Sequence, residues 1–332
     1  EFKRGDKVSK KKLTTAQKLK IINSDPVLWL SNFVKIIDNE GKEVPFKVNK
    51  EQLDFVENMD KFNIILKGRQ IGFTTLALGL MLYYAHQNKN TNYMLISYDT
   101  DSVNNIFNKL KLMYESIPDK YRVKSKRDNR NELVLENGSR ISVKIASHKS
   151  LGRSFTCQFI HISEMAFFQD GAGKDVLVGL EQSLAKNTQS RIVIESTANG
   201  VGNAYYDLYQ NANKGRSKYK GFFYHWFADG AKNQFKHELD LAEHWYKSEN
   251  KGVRLNPKEL TPYEKNLYDK GCTLKQLMWR QWKLQDMSEE AFRQEFPSTV
   301  EEAFISTDIG VFDSEVILER YNYLPKPITS TN

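Results

Sequence analysis

The sequence predicts an α/β fold in which a parallel-dominated sheet lies between helices, and three observations carry that prediction. Residues 62–66 are a short apolar, partly β-branched run that reads as a buried strand, and from Thr74 onward Leu76, Ala77, Leu80, Met81 and Tyr84 recur at helical spacing. A second such pair follows, with residues 92–97 (NYMLIS) as strand and residues 102–117 as a helix closed by Pro118. Two further apolar runs, FIHIS at 159–163 and RIVIE at 191–195, supply more strands, and strands alternating with helices call for a parallel sheet.

The chain has 332 residues, 40% of them hydrophobic, enough for one large domain or two small ones. No apolar run approaches the ~18 residues of a membrane span, so no membrane partner is expected. The two cysteines, Cys157 and Cys272, stand far apart and outside any metal-ligand spacing, so a reducing cytoplasm fits. A net charge of +8 suits a polyanionic partner. The chain opens Glu1-Phe2 without methionine, which reads as a piece excised from a longer protein.

Residues 1–20 hold eight Lys/Arg against Glu1 and Asp6, so 1–24 reads as a basic, solvated tail. DPVLWLSNFVKI then reads as an amphipathic helix with Asp25 as N-cap and Pro26 at its first position. Residues 38–41 make a turn, EVPFKV is extended, and a helix begins near Asn49. Residues 132–136 and 140–145 alternate apolar and polar side chains around Asn137-Gly138, a hairpin signal, within a basic stretch at 122–149 that could touch nucleic acid. FFYHWF reads as an edge strand, followed by three or more helices between 236 and 294.

The chemistry concentrates at KGRQIGFT, residues 67–74. A glycine-containing turn between strand and helix aims backbone N–H groups at one anion, which is how phosphate is held. The usual pattern G-x-x-x-x-G-K-[ST] fails twice, with Lys67 at the first glycine and Phe73 at the lysine. Either this is no nucleotide site, or the lysine charge reaches the same phosphates from the start of the loop.

The form K-x-x-x-x-G-[aromatic]-[ST], with Arg69-Gln70 before the second glycine, resembles the displaced-lysine Walker A of large terminases, the ATPases that drive DNA into viral capsids. The resemblance extends over residues 25–313. It implies a RecA-like P-loop NTPase core of the ASCE type at 25–200, a small C-terminal lid at 201–313, and from 314 to 332 the start of a linker to an absent nuclease domain. It also implies ATP and Mg2+ as cofactors. Lys67, Gly68, Arg69, Gln70, Ile71, Gly72, Phe73, Thr74 and Thr75 would form the nucleotide loop, with Thr74 on the metal. Gln52, one element upstream, looks like the adenine-reading glutamine of terminases and superfamily 2 helicases, with a plain surface glutamine as the alternative.

Ser163-Glu164 resembles a Walker B element with serine in place of aspartate. Glu164 would be the carboxylate that takes a proton from the attacking water, and Ser163 would stand in a weakened metal shell. Arg153 in SLGRSF is similar to the terminase arginine that can face a neighbouring subunit's ATP, and Arg69 competes for that role in cis. Ser196, Thr197, Ala198 and Asn199 look like the motif that couples phosphate release to movement. FRQEFPSTVEEAF resembles the close of the terminase lid, and its acidic residues are not read as a nuclease.

The expected function is therefore ATP hydrolysis coupled to translocation of double-stranded DNA. The expected partners are a ring of copies, the portal protein and the small terminase subunit, in the host cytoplasm and transiently on the procapsid. A superfamily 2 translocase is a rival, although no second strand-helix series and no Q-x-x-G-R-x-x-R follow Gly200. A nucleotide-binding scaffold with weak hydrolysis is the other, motivated by Phe73 and Ser163.

Overall fold

The computed structural model describes residues 13–146, 156–169 and 172–304. The elements run α1 (Thr15–Ser24), α2 (Pro26–Phe33), β1 (Lys35–Ile37), β2 (Glu43–Pro45), α3 (Lys50–Asn58), β3 (Phe62–Lys67), α4 (Phe73–Gln87), β4 (Asn92–Ser97) and α5 (Thr100–Ser116). Then come β5 (Ser125–Asp128), β6 (Glu132–Leu135), β7 (Arg140–Ile145), β8 (Phe159–Ser163), α6 (Ala172–Ser183), β9 (Arg191–Ser196), α7 (Ala204–Asn213) and β10 (Lys220–Tyr224). The last third is helical: α8 (Asp229–Gln234), α9 (Lys236–Glu249), α10 (Pro262–Asp269), α11 (Leu274–Lys283), α12 (Glu289–Glu295) and α13 (Val300–Ala303).

Eight strands form one sheet in the order β10-β3-β9-β8-β4-β7-β6-β5. The six strands from β10 to β7 are parallel, and β6 and β5 close one edge antiparallel. Strand alternation sorts the core onto two faces. Ile65, Tyr93 and Leu95 pack with α2, α4 and α5, whereas Ile64, Leu66, Met94 and Ile96 pack with α6 and α7. The expected α/β fold with a parallel-dominated sheet is thus the observed one.

Four local readings change. The helix begun at Asp25, whose side chain caps Leu28 N, stops at Phe33, and Lys35–Ile37 is strand β1 paired with β2. The β-branched run Val34, Ile36, Ile37 prefers the pleat, and Phe46 N bonds Val34 O. Residues 15–24, inside the expected tail, form a helix with a Thr14–Gln17 capping box, and Leu19 and Ile22 rest on the core. In FFYHWF the strand ends at Tyr224, and Trp226 and Phe227 turn away into a third apolar cluster. The basic hairpin gains a third strand, β5, whose residues are all exposed.

That third cluster centres on Trp226, Trp279, Phe292 and Phe296. Trp279 packs edge-on against Phe296 at 5.1 Å and lies nearly parallel to Trp226 at 5.4 Å. Beyond it, Ala303 and Phe304 return to the sheet, where Phe304 meets Tyr206 at 4.9 Å. Among the described residues no helix is long and apolar enough to cross a membrane.

Candidate nucleotide site

The site lies where β3, β9 and β8 end side by side. β3 pairs with β9 and β9 with β8, so one strand separates the loop strand from the acidic strand. In parallel strands the three C-terminal ends share one edge, and the loops leaving that edge build the site.

Lys67 closes β3 and is buried, 4% exposed. Its Nζ lies 3.2 Å from Glu164 Oε1 and 3.1 Å from Glu195 Oε2. Burial opposes the ammonium charge, but Glu164 and then Glu195 outweigh it and hold the group well above the usual lysine value. An ammonium has three donors, so one remains for the loop it opens.

The loop then turns tightly. Gln70 has φ +60° and Gly72 φ +86°, the left-handed region. A Cβ on Gly72 would also stand 2.9 Å from Gln52 Nε2, so glycine is required twice over. Gly72 is the N-cap of α4 and offers no side chain there, leaving the first N–H groups of the helix available to an anion. Ile71 and Phe73 point inward, Phe73 stacking on Tyr224 at 4.7 Å and meeting Phe55 edge-on at 5.9 Å. The position of the usual lysine is therefore a core position in this chain. Thr74 and Thr75 occupy the first turn of α4.

Gln52, expected to read adenine, stands against the loop. Its Oε1 accepts from Asn49 N in a capping box, and its Nε2 donates to Gly72 O at 2.8 Å. At 4% exposure its amide braces the loop backbone. Arg69 turns outward: its N–H donates to Glu295 O at 2.8 Å and its guanidinium to Glu295 Oε2 at 3.0 Å, tying the loop to the end of α12. Arg153 lies outside the described residues.

Glu164 follows β8 with φ +55°, a left-handed conformation unusual for glutamate. Its Oε2 accepts from Ser196 Oγ at 3.1 Å and from Thr197 N at 3.2 Å. Ser196 Oγ also accepts from Ala166 N, and Asn199 Nδ2 donates to Ala166 O. Ser196, Thr197 and Asn199 thus grip the turn that carries Glu164, while Ala198 is fully buried behind them.

Sequence reasoning missed Glu195. It is fully buried, and its Oε1 accepts from Thr74 Oγ1 and from Ser163 Oγ, each at 2.8 Å. His161 Nε2 is 3.3 Å from the same oxygen. Burial would raise this carboxyl, but the Lys67 charge first, then His161 and the Thr74 hydroxyl, hold it well below the usual carboxylate range. The available signal was the charged end of RIVIE: a carboxylate directly after three β-branched apolar residues has no packing reason to be there.

Fold and site together define a RecA-like P-loop domain. Residues 64–299 match the family "Terminase large subunit, T4likevirus-type, N-terminal", and the chain belongs to that family. The HK97 bacteriophage large terminase superposes with a TM-score of 0.54 at 14% identity, over 83% of this chain and 54% of that one, so the chain spans about half its length. The Thermus phage P74-26 large terminase ATPase domain gives 0.50 at 15% identity, over 76% and 93%. A comparison with curated proteins finds no match.

Proposed function

We propose that this chain is the ATPase motor domain of a viral large terminase, hydrolysing ATP to translocate double-stranded DNA into a procapsid. The observation that carries this reading is Glu164. Its carboxylate stands at the mouth of the loop, oriented by Ser196 and Thr197 and 3.2 Å from Lys67, as a base that must hold an attacking water requires.

Lys67 and the first N–H groups of α4 would hold the phosphates, and Glu164 would take the proton from water. Loss of the γ-phosphate would be felt by Glu164 and passed through Ser196 and Thr197 to β9. The oxygen donors here, Thr74, Ser163 and two carboxylates, suit a hard cation such as Mg2+. Bound with the nucleotide, Mg2+ would supply charge neutralisation on the β- and γ-phosphates.

Grip on DNA is assigned to exposed cations of the β5 edge, including Lys124, Lys126 and Arg130. Arg127 and Arg140 are engaged by Glu132 and belong to the hairpin itself. Assembly as a ring, docking on a portal protein, contact with a small subunit and a place in the host cytoplasm complete the proposal. Steady-state phosphate release tests it: wild type should turn over, and Glu164→Ala should lose about 10²- to 10⁴-fold while still binding nucleotide. Wild type that binds ATP without turnover would make the chain a nucleotide-binding scaffold.

A further inference from the structure

Resting on the nucleotide-site reading above, the charge that a metal beside Thr74 would need does not come from β8. At the end of β8 the residue before Glu164 is Ser163, which brings no charge to the metal side of the loop threonine. The charge stands one strand over.

Ser163 and Glu195 are direct partners in the parallel register of β8 and β9. The Glu195 side chain therefore leaves the sheet edge at the same level, displaced sideways by one strand spacing, ~4.8 Å. Its Oε1 receives both hydroxyls, that of Thr74 and that of Ser163. Its Oε2 lies 3.1 Å from Lys67 Nζ, and the group is wholly buried. A wholly buried carboxylate needs a cation beside it, which Lys67 supplies, and the two hydroxyls on Oε1 tie the group to the first turn of α4 and to the end of β8.

We propose that Glu195 supplies from β9 the carboxylate that fixes Thr74 and anchors the Mg2+ shell of the bound nucleotide, the place left by Ser163. The two acidic groups of the site then divide the work. Glu164, its side chain 28% exposed, is open to water and acts on it. Glu195, fully enclosed, sees no bulk water and orients Thr74 and the metal's water. Ser163 remains useful as a hydrogen-bond donor that keeps Glu195 in register with β8.

A counter-ion for Lys67 would give the same geometry, so the test must read the metal. A fluorescent ATP analogue is titrated into wild type, Glu195→Gln and the double variant Ser163→Asp/Glu195→Gln, each with Mg2+ and with EDTA, after thermal melts confirm folding. Wild type should bind more tightly with Mg2+. Glu195→Gln should lose about 10- to 100-fold of that gain and keep its affinity in EDTA. The double variant, which moves the carboxylate to the adjacent strand, should regain it. An undiminished Mg2+ gain in Glu195→Gln, or an equal loss in both arms, overturns the proposal. If Glu195→Gln does not fold, the double variant decides alone: a retained Mg2+ gain supports the relocation and its loss refutes it. Wild type that binds the analogue in neither arm refutes the nucleotide site as a whole, a result distinct from either of these.

Discussion

Arg69 is joined to Glu295 twice, by a backbone bond of 2.8 Å and a side-chain ion pair of 3.0 Å, and through it the phosphate loop is tied to the end of α12. The guanidinium is more than half exposed, so the ion pair contributes under about 1 kcal/mol. The backbone bond does not depend on side-chain identity. Arg69→Ala should therefore melt within a few degrees of wild type, and Glu295→Ala likewise. Loss of the folded helical segment from α8 to α12 in either variant, seen as a separate unfolding transition, would contradict this.

Lys67 is a structural as well as a chemical residue. Replacing it by Met leaves fully buried Glu195 without its cation, which should cost about 3–5 kcal/mol in urea unfolding and abolish phosphate release. Lys67→Met/Glu195→Gln removes both charges and should recover most of the stability while turnover stays absent. A Lys67→Met protein as stable as wild type, or active, would show that the ion pair is not what holds this end of β3.

Restoring the usual loop lysine at position 73 should fail. Phe73 is buried between Tyr224 and Phe55, and a lysine there gives up that packing and buries an ammonium, at a cost of about 3–5 kcal/mol or more. Phe73→Lys is expected to express poorly or melt well below wild type. A stable Phe73→Lys protein with raised turnover would reverse the reading of the loop.

His86 predicts an acid dependence away from the site. Burial, against a bond to Leu82 O, lowers it from 6.5 to about 4. Between those values the unfolded chain binds a proton that the folded chain does not, so stability is fully present above pH 6.5 and falls as pH drops towards 4, by up to about 3 kcal/mol. Melting temperatures of His86→Gln should lack that slope relative to wild type. Parallel pH profiles for the two proteins would remove His86 as the cause.

Duplex DNA binding by the β5 edge should be weak, indifferent to sequence and steeply salt-dependent. Each of Lys124→Glu, Lys126→Glu and Arg130→Glu should lower the log–log salt slope by about one. A strong preference for one sequence, or an unchanged slope, would place the grip elsewhere.

Much of this architecture was legible because its signals are local. Continuous apolar runs marked β3, β4, β8 and β9, and the Asp25-Pro26 pair marked the start of α2. Glu164 was legible as the residue after a buried strand. Glu195 was only half legible: the charged end of RIVIE marked a carboxylate at a strand end, but its partners depend on which strand lies beside β8, a non-local fact. Gln52 was legible as a residue beside the loop, but that the capping box with Asn49 uses its carbonyl and Gly72 O its amide is a contact no spacing shows. The helix at residues 15–24 was hidden by its lysines, whose charges mask the Leu19 and Ile22 contacts beneath.

Trp226 and Pro297 bracket the helical segment, and Trp226 N donates to Pro297 O at 3.2 Å. The segment is fastened to the sheet domain at separate points besides this one: Glu51 accepts from Asp229 N and Gly230 N, and Asn39 Nδ2 donates to Gln234 O. Its start also touches the loop after β3, where a Cβ at Gly68 would stand 3.1 Å from Trp226 Cα and Gly68 N donates to Tyr224 O two residues earlier. Position 68 therefore has no room for a side chain, and a bulkier residue there would have to part the loop from Trp226 before it disturbed anything else.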